Sequence, residues 1–434
     1  MKICMFTNTY LPHVGGVARS VDFFTRDLRD RGHEVLVVAP TFPDAREIGG
    51  IEDGVLRVPA IQNFNGSDFS VRIPIPFIID QKIDRFCPDI VHSHHPFLLG
   101  DAAMRAARYR RLPMVFTHHT LYERYTHYVS AQSEAMERFA IHLSTEYANL
   151  CTHVVAPSAS VARLIQKRGV ERPIAEIPTG VDVGFFSEGE GDRFRKEFDI
   201  PGDVRVIGQL GRLAPEKNLG YLTDAVADYM KTDETAWFLV VGDGPSRETV
   251  EERFRGEGMA DRLVLAGKLT GRSLADAYRA MDLFVFSSKS ETQGMVLTEA
   301  MAAGRPVIAL DASGAREVVK DRENGRLLEA DASPERFAEA VGDFFGSPET
   351  AEKWRKSAAA TAEAFSRESS ARKMEDLYRS VLAEHREAGP PPSMDRFEEM
   401  IQGIKTEWDL LGEKAAAVAS LIKKEGQRRE ASLD

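Results

Sequence analysis

In the first forty residues a short apolar run, Ile3 to Phe6, is followed by the pair Gly15-Gly16. Val17, Val21, Phe24 and Leu28 come next, then a second apolar run from Val35 to Ala39. The runs are strand-length. The four-three-four spacing between them places its residues on one face of a helix that begins just after the glycines and ends at Gly32. Strand, helix and strand in that order make one βαβ unit. Two further strands are predicted at Ile90-Val91-His92 and Met114-Val115-Phe116-Thr117, each with polar or histidine-rich residues at its carboxyl end. Open α/β sheets bind their ligands at that end. A second series runs through Val206 to Leu210, Phe238 to Val241, Leu263 to Leu265, Leu283 to Phe286 and Val307 to Leu310, with helical stretches between. Such alternation predicts a parallel sheet covered by helices.

The expected architecture is therefore α/β, with two Rossmann-like domains whose parallel sheets face a central cleft. The first would span 1–185 and be completed by a returning helix near 366–385; the second would span 186–365. After Pro390-Pro391-Pro392 the pattern changes. Phe397, Ile401, Ile404, Trp408, Leu411, Ala415, Val418 and Ile422 alternate spacings of four and three, a heptad seam that predicts a helical C-terminal extension over 387–434. Gly403 and Gly412 weaken an isolated helix there by about 1 kcal/mol each, so the extension needs a partner. Its own protein, a second copy in a homodimer and a membrane surface all remain open as that partner.

Composition narrows the function classes. With 434 residues the chain has room for two domains. Its 43% hydrophobic and 28% charged residues fit a folded globular protein. No run approaches the roughly 20 apolar residues that span a bilayer. The formal net charge of -11 argues against nucleic acid as a partner. Cys4, Cys87 and Cys151 form no CxxC pair, which gives neither a disulfide framework nor a cysteine-type zinc site and suits a reducing compartment. The first six residues lack the apolar core of a signal peptide. The chain reads as cytoplasmic, with any membrane contact confined to a surface on the inner face of the cell membrane.

Candidate chemistry lies at the strand ends of the second series. The segment Ser290-Glu291-Thr292-Gln293-Gly294-Met295-Val296-Leu297-Thr298-Glu299 follows a strand and opens a helix. Glu291 falls in the turn and Glu299 more than one helical turn further on, so the two carboxylates address different parts of a ligand. The backbone N–H groups of Gly294, Met295 and Val296 at the helix N-terminus suit an anion. Gly211-Arg212-Leu213-Ala214-Pro215-Glu216-Lys217 follows another strand and delivers two cations, the complement of a diphosphate. Carboxylates for sugar hydroxyls and cations for phosphate together point to a sugar nucleotide. His92, His94, His95, His118, His119 and His127 supply six of the eleven histidines within a short stretch, yet their spacing matches no zinc motif and no metal is expected. No GxGxxG follows the first strand, so no dinucleotide fingerprint is present.

The G-R-x-x-x-x-K segment and the E-x7-E motif together resemble glycosyltransferase family 4, a large retaining group with the GT-B fold, over residues 1–385. Gly15-Gly16-Val17, Gly242-Asp243-Gly244-Pro245 and Ser313-Gly314-Ala315-Arg316-Glu317-Val318-Val319 are supporting matches. The resemblance implies that Arg212 and Lys217 hold the donor diphosphate, Glu291 the sugar hydroxyls and Glu299 the ribose. It implies that Gly15 and Gly16 bring backbone amides close to phosphate or sugar. Thr117-His118-His119-Thr120 resembles the segment whose histidine contacts the donor sugar. Alignment on Thr120 selects His119, leaving His118 as a hydrogen-bonded core residue; a one-residue slip would exchange them.

The segments His92–Gly100 and Leu121–Tyr128 resemble the acceptor side of the diacylglycerol glucosyltransferase and sulfoquinovosyltransferase branch. The implied reaction moves a hexose from a nucleotide-diphosphate sugar, UDP-glucose or another UDP-sugar favoured, to an acceptor hydroxyl of diacylglycerol or another membrane lipid, without a cofactor. Alternatives are a polysaccharide or small soluble acceptor, a GT-B sugar-nucleotide epimerase, and a noncatalytic nucleotide-sugar-binding protein. Two segments could meet a membrane: the basic stretch Met104–Arg111 and the apolar stretch Phe69–Ile78. A solvated helix face and a packed loop are their plainer explanations.

Overall fold

The computed structural model describes residues 1–13, 15–41, 51–61, 71–72, 76–123, 134–289 and 291–388. His127, the side chains of the Phe69–Ile78 segment, the latter part of Leu121–Tyr128 and the whole heptad seam lie outside the described residues. The chain divides into two compact units. One holds Met1–Ala156, Ala162–Ala175 and the chain from Glu375 onward; the other holds Pro157–Val161 and Glu176–Met374.

The first unit is built on β1 (Lys2–Phe6), β2 (Glu34–Pro40), β3 (Ile51–Glu52), β4 (Val55–Val58), β5 (Ala60–Ile61), β6 (Val71–Arg72), β7 (Ile90–Ser93), β8 (Met114–Thr117), β9 (His153–Ala156) and β10 (Ile174–Glu176). Eight of these form one sheet in the order β10-β9-β8-β7-β1-β2-β4-β3, while β5 and β6 pair separately. β1 runs parallel to both β2 and β7, and β7 to β8, whereas the short β3 is antiparallel to β4. The helix Gly16–Asp30 buries Val21, Phe24 and Leu28 and leaves Val17 half-buried at its first turn. Gly32, at φ +83°, reverses the chain after it. The helix Arg367–Ala388 contributes Glu375, whose carboxylate meets Arg31 and Arg379 at 2.5 Å and His33 at 3.3 Å. The hydrogen bonds from the Arg379 and Arg31 guanidiniums hold the Glu375 carboxyl at about 2.

The second unit is built on β11 (Arg205–Leu210), β12 (Ala236–Val241), β13 (Leu263–Gly267), β14 (Leu283–Phe286), β15 (Val307–Leu310) and β16 (Gly325–Leu328), ordered β13-β12-β11-β14-β15-β16. All five pairings are parallel. Successive side chains on a strand point to opposite faces, and here both faces are covered. Phe284, Phe286, Val307 and Ala309 pack into one apolar cluster; Leu283, Val285, Ile308 and Leu310 pack into the other. The continuous apolar runs in the sequence follow from this double burial.

Every strand predicted from the pattern is present, some extended by a residue or two. The strands at Val55–Val58, His153–Ala156 and Gly325–Leu328 had no such prediction. Among the described residues no helix is long and apolar enough to cross a membrane.

Candidate functional site

In the second unit the chain leaves β11 for β12 and later returns to β14 on the other side of β11. Ligands of open α/β sheets bind outside the carboxyl ends of the strands where the order reverses in this way. The loops after β11 and β14 are the two that carry the G-R-x-x-x-x-K and E-x7-E residues. Lys217 Nζ donates to Glu291 Oε1 across this switch point, with both side chains about one-fifth exposed. Arg212 pairs with Glu216 in its own loop. Burial alone would raise the Glu216 carboxyl, but its hydrogen bonds and the charges of Arg212 and Lys217 outweigh that and hold it below the usual carboxylate range. Both candidate diphosphate cations thus rest on carboxylates.

The Arg212 loop is fixed from behind. The Leu213 N–H donates to Asp243 O at 2.9 Å, and Leu213 O accepts the Ser246 N–H at 2.9 Å. A Cβ on Gly242 would collide with Gly211 O, and one on Gly244 with Leu213 O. Only glycine permits that approach, which explains why Gly242-Asp243-Gly244 accompanies the cation loop. Gly314 does the same for the carboxylate loop. At φ +86°, its absent Cβ would stand 2.6 Å from Glu291 Cβ, and its N–H donates to Glu317 Oε2 at 2.8 Å.

Gly294, at φ +73°, precedes the helix Met295–Ala302, so Met295 and Val296 supply its first N–H groups. That helix is buried along most of its length, and Glu299 is only 3% exposed. A carboxylate buried in this way requires hydrogen-bond partners. The Tyr278 hydroxyl donates to Glu299 Oε2 at 2.8 Å. Nothing in the sequence pattern singles out Tyr278, which lies on a different helix, Gly271–Ala280.

The first unit carries its own group at the carboxyl ends of β1, β7 and β8. Gly15 precedes the helix Gly16–Asp30 in an extended conformation. The Asn8 N–H donates to His95 Nδ1 at 3.1 Å, so a neutral His95 carries its proton on Nε2. His92 bridges the Tyr378 hydroxyl, 2.5 Å from Nδ1, and the Thr117 hydroxyl, 2.7 Å from Nε2. His94 Nδ1 and His119 Nε2 share a hydrogen at 2.9 Å, which requires one ring to donate and the other to accept. Burial lowers His92 and His95 to about 3. It also lowers His94 and His119 well below their ordinary value, with neighbouring histidines adding to the effect. The cluster is neutral at physiological pH. Among the described residues no group of side chains is arranged to hold a metal ion.

His119 is half-buried and its neighbour His118 is 2% exposed. One of the two His118 ring nitrogens, Nδ1, has no hydrogen-bond partner among the described residues. Its ring packs against Phe116 and Tyr122. In the basic stretch, Arg108 donates to Leu150 O and Arg110 reaches Asp80 and Asp84. Those two guanidiniums serve the fold, while Arg105, Tyr109 and Arg111 are exposed.

Comparison with known proteins agrees with this fold. Residues 14–185 match the model described as Glycosyltransferase Family 4, and residues 191–361 match that described as Glycosyl transferases group 1. The chain is 30% identical over 346 residues to a GDP-mannose-dependent alpha-mannosyltransferase of Mycobacterium tuberculosis, covering 79% of this chain and 87% of that one. It is 28% identical over 340 residues to an alpha-monoglucosyldiacylglycerol synthase of Streptococcus pneumoniae, covering 75% of each. The crystal structure of Anabaena HepE in complex with UDP superimposes with a TM-score of 0.69 at 20% identity, over 88% of this chain and 100% of that one. With the two parallel-sheet units, the cation and carboxylate loops at one switch point, and these likenesses in hand, the chain belongs to glycosyltransferase family 4 and is a hexosyltransferase of the GT-B fold.

Proposed function

We propose that this enzyme transfers a hexose, with retention of configuration, from a UDP-sugar to a hydroxyl of diacylglycerol or a related membrane lipid. The observation that carries the reading is the Lys217–Glu291 contact across adjacent strand ends. In this reading a cation for the diphosphate would stand beside a carboxylate for the sugar. Arg212 and Lys217 would hold the diphosphate, Glu291 the sugar hydroxyls and Glu299 the ribose. Gly294, Met295 and Val296 would offer N–H groups to phosphate oxygens. Gly15, Gly16 and His119 would act from the first unit.

No protein nucleophile is required. In a front-face displacement the bond from the anomeric carbon to the diphosphate oxygen breaks as the acceptor oxygen arrives on the same face. The leaving diphosphate takes the acceptor's proton. The protein's part is to stabilise the departing anion and hold the geometry. The lipid acceptor is supported by the likeness to the alpha-monoglucosyldiacylglycerol synthase. It implies work at the inner face of the cell membrane as a peripheral protein.

The test is a thermal-shift screen of UDP- and GDP-sugars, followed by transfer assays with diacylglycerol and with soluble acceptors. Stabilisation by UDP-glucose and formation of an alpha-glucosyl lipid are expected. Stabilisation by GDP-mannose alone would reassign the donor, in line with the mannosyltransferase relative. Product formed only on soluble acceptors would remove the lipid, and an inverted anomer would remove the front-face mechanism.

A further inference from the structure

Glu291 belongs to no helix or strand, coming between β14 and the helix Met295–Ala302, so no regular secondary structure fixes where it points. Gln293, two residues on, is 5% exposed. Its Oε1 accepts the Thr179 N–H at 2.7 Å, and its Nε2 donates to the Thr179 carbonyl at 2.7 Å. The side-chain amide thereby pairs with one residue's backbone as a neighbouring strand would, and two bonds to one residue fix orientation as well as distance. Thr179 belongs to the start of the long passage Glu176–Met374 through the second unit. The Ser158 hydroxyl, in the short earlier passage Pro157–Val161, donates to Thr292 O at 2.6 Å. The loop also packs against Gly314. The backbone around Glu291 is therefore held by these bonds and by packing against Gly314, while its side chain, paired with Lys217, is about one-fifth exposed.

We propose that Gln293 is a positioning residue for sugar transfer, holding Glu291 in its working orientation through the paired bonds to Thr179. The inference rests on the donor reading above, in which Glu291 meets the sugar. Buried as it is, Gln293 touches no donor itself. Catalytic groups displaced by about 1 Å lose up to about 100-fold in rate, and that is the kind of error a released loop would introduce.

Two variants of the full chain test this. Gln293→Met keeps the side-chain length and removes both bonds. Gln293→Glu keeps an acceptor for the Thr179 N–H, but can donate to the Thr179 carbonyl only when its carboxyl is protonated. With UDP-glucose as the donor probe, Gln293→Met should lower kcat about 10- to 100-fold. The Kd for UDP, which carries no sugar, should stay within about twofold. Gln293→Glu should be impaired at about pH 8 and recover toward the wild-type rate as the pH falls, because protonation restores the second bond. A Gln293→Met enzyme with wild-type kcat, or a Gln293→Glu to wild-type rate ratio that is flat with pH, would overturn the proposal. So would equal losses of kcat and UDP affinity, the sign of a generally disordered site. If the wild-type enzyme itself neither binds UDP nor turns over UDP-glucose, it is the donor assignment that fails. Exchange of the Thr179 amide hydrogen, expected to be faster in Gln293→Met, then still reads the pairing, and unchanged exchange would overturn it.

Discussion

At the scale of single residues, the charges that suit the donor are already matched within the protein. Lys217 meets Glu291 and Arg212 meets Glu216. A donor diphosphate would take over the cations and leave Glu291 to the sugar, so binding exchanges one set of charge-assisted bonds for another. The rate should then depend most on the groups that stabilise the leaving anion. Arg212→Ala or Lys217→Ala should lower turnover about 100- to 1000-fold, by analogy with removal of one oxyanion donor; near-normal turnover in both variants would contradict the diphosphate assignment. Glu299→Ala should instead raise the donor KM with little change in kcat, because ribose contacts are alike in ground and transition states. Tyr278→Phe removes one bond to that carboxylate. A net hydrogen bond of about 1 kcal/mol predicts a KM about fivefold higher in that variant, measurable in the same assay.

At the scale of elements, the ends of β7 and β8 bring histidines together in a buried, neutral cluster. His92 and His95 lie at about 3 and His118 at about 4, with burial the leading cause. An unfolded histidine titrates near 6.5. Because the folded values are depressed, stability is complete above about pH 6.5. It falls as the pH drops toward about 4, since the unfolded chain takes up protons that the folded chain refuses. Each such histidine should cost about 1.4 kcal/mol per pH unit over that range. Urea unfolding between about pH 7.5 and 5 should show a clear decline, and a flat profile would mean that the cluster opens to solvent. The turn at Gly314 gives a second prediction at this scale. Its positive φ and the 2.6 Å approach to Glu291 leave no room for a methyl group. Gly314→Ala should destabilise the protein by about 1 to 3 kcal/mol and lower kcat through displacement of Glu291, read by thermal unfolding and initial rates together.

At the scale of the whole molecule, the chain leaves its first unit and returns to it. The helix Arg367–Ala388 supplies Glu375 and Tyr378 to that unit, the first to Arg31 and His33 and the second to His92. Truncation after Phe365 should therefore unfold the first unit as well as remove a helix. Truncation at Pro390 leaves these contacts whole and removes only the heptad segment. If that segment joins two copies, mass measurement should show a dimer becoming a monomer on truncation at Pro390, and an unchanged mass would remove the homodimer. Vesicle binding that is lost on the same truncation would assign the seam to a membrane surface.

The sequence by itself determined the alternation of strands and helices, because period-3.6 spacings and continuous apolar runs record which faces are buried. It also brought Arg212, Lys217, Glu291 and Glu299 to notice, because they stand at the spacings of the G-R-x-x-x-x-K and E-x7-E motifs, each motif beginning just after a strand. It determined far less about how these residues are held. That β11 and β14 are neighbours, and so that Lys217 reaches Glu291, is a matter of strand order, which no local pattern encodes. Tyr278 on Glu299, Gln293 on Thr179, Tyr378 on His92 and the His118 nitrogen without a partner among the described residues are likewise decided by tertiary packing. The three partners are remote in the chain, and burial sets the outcome in all four cases: it obliges polar groups to find partners and leaves a few without one.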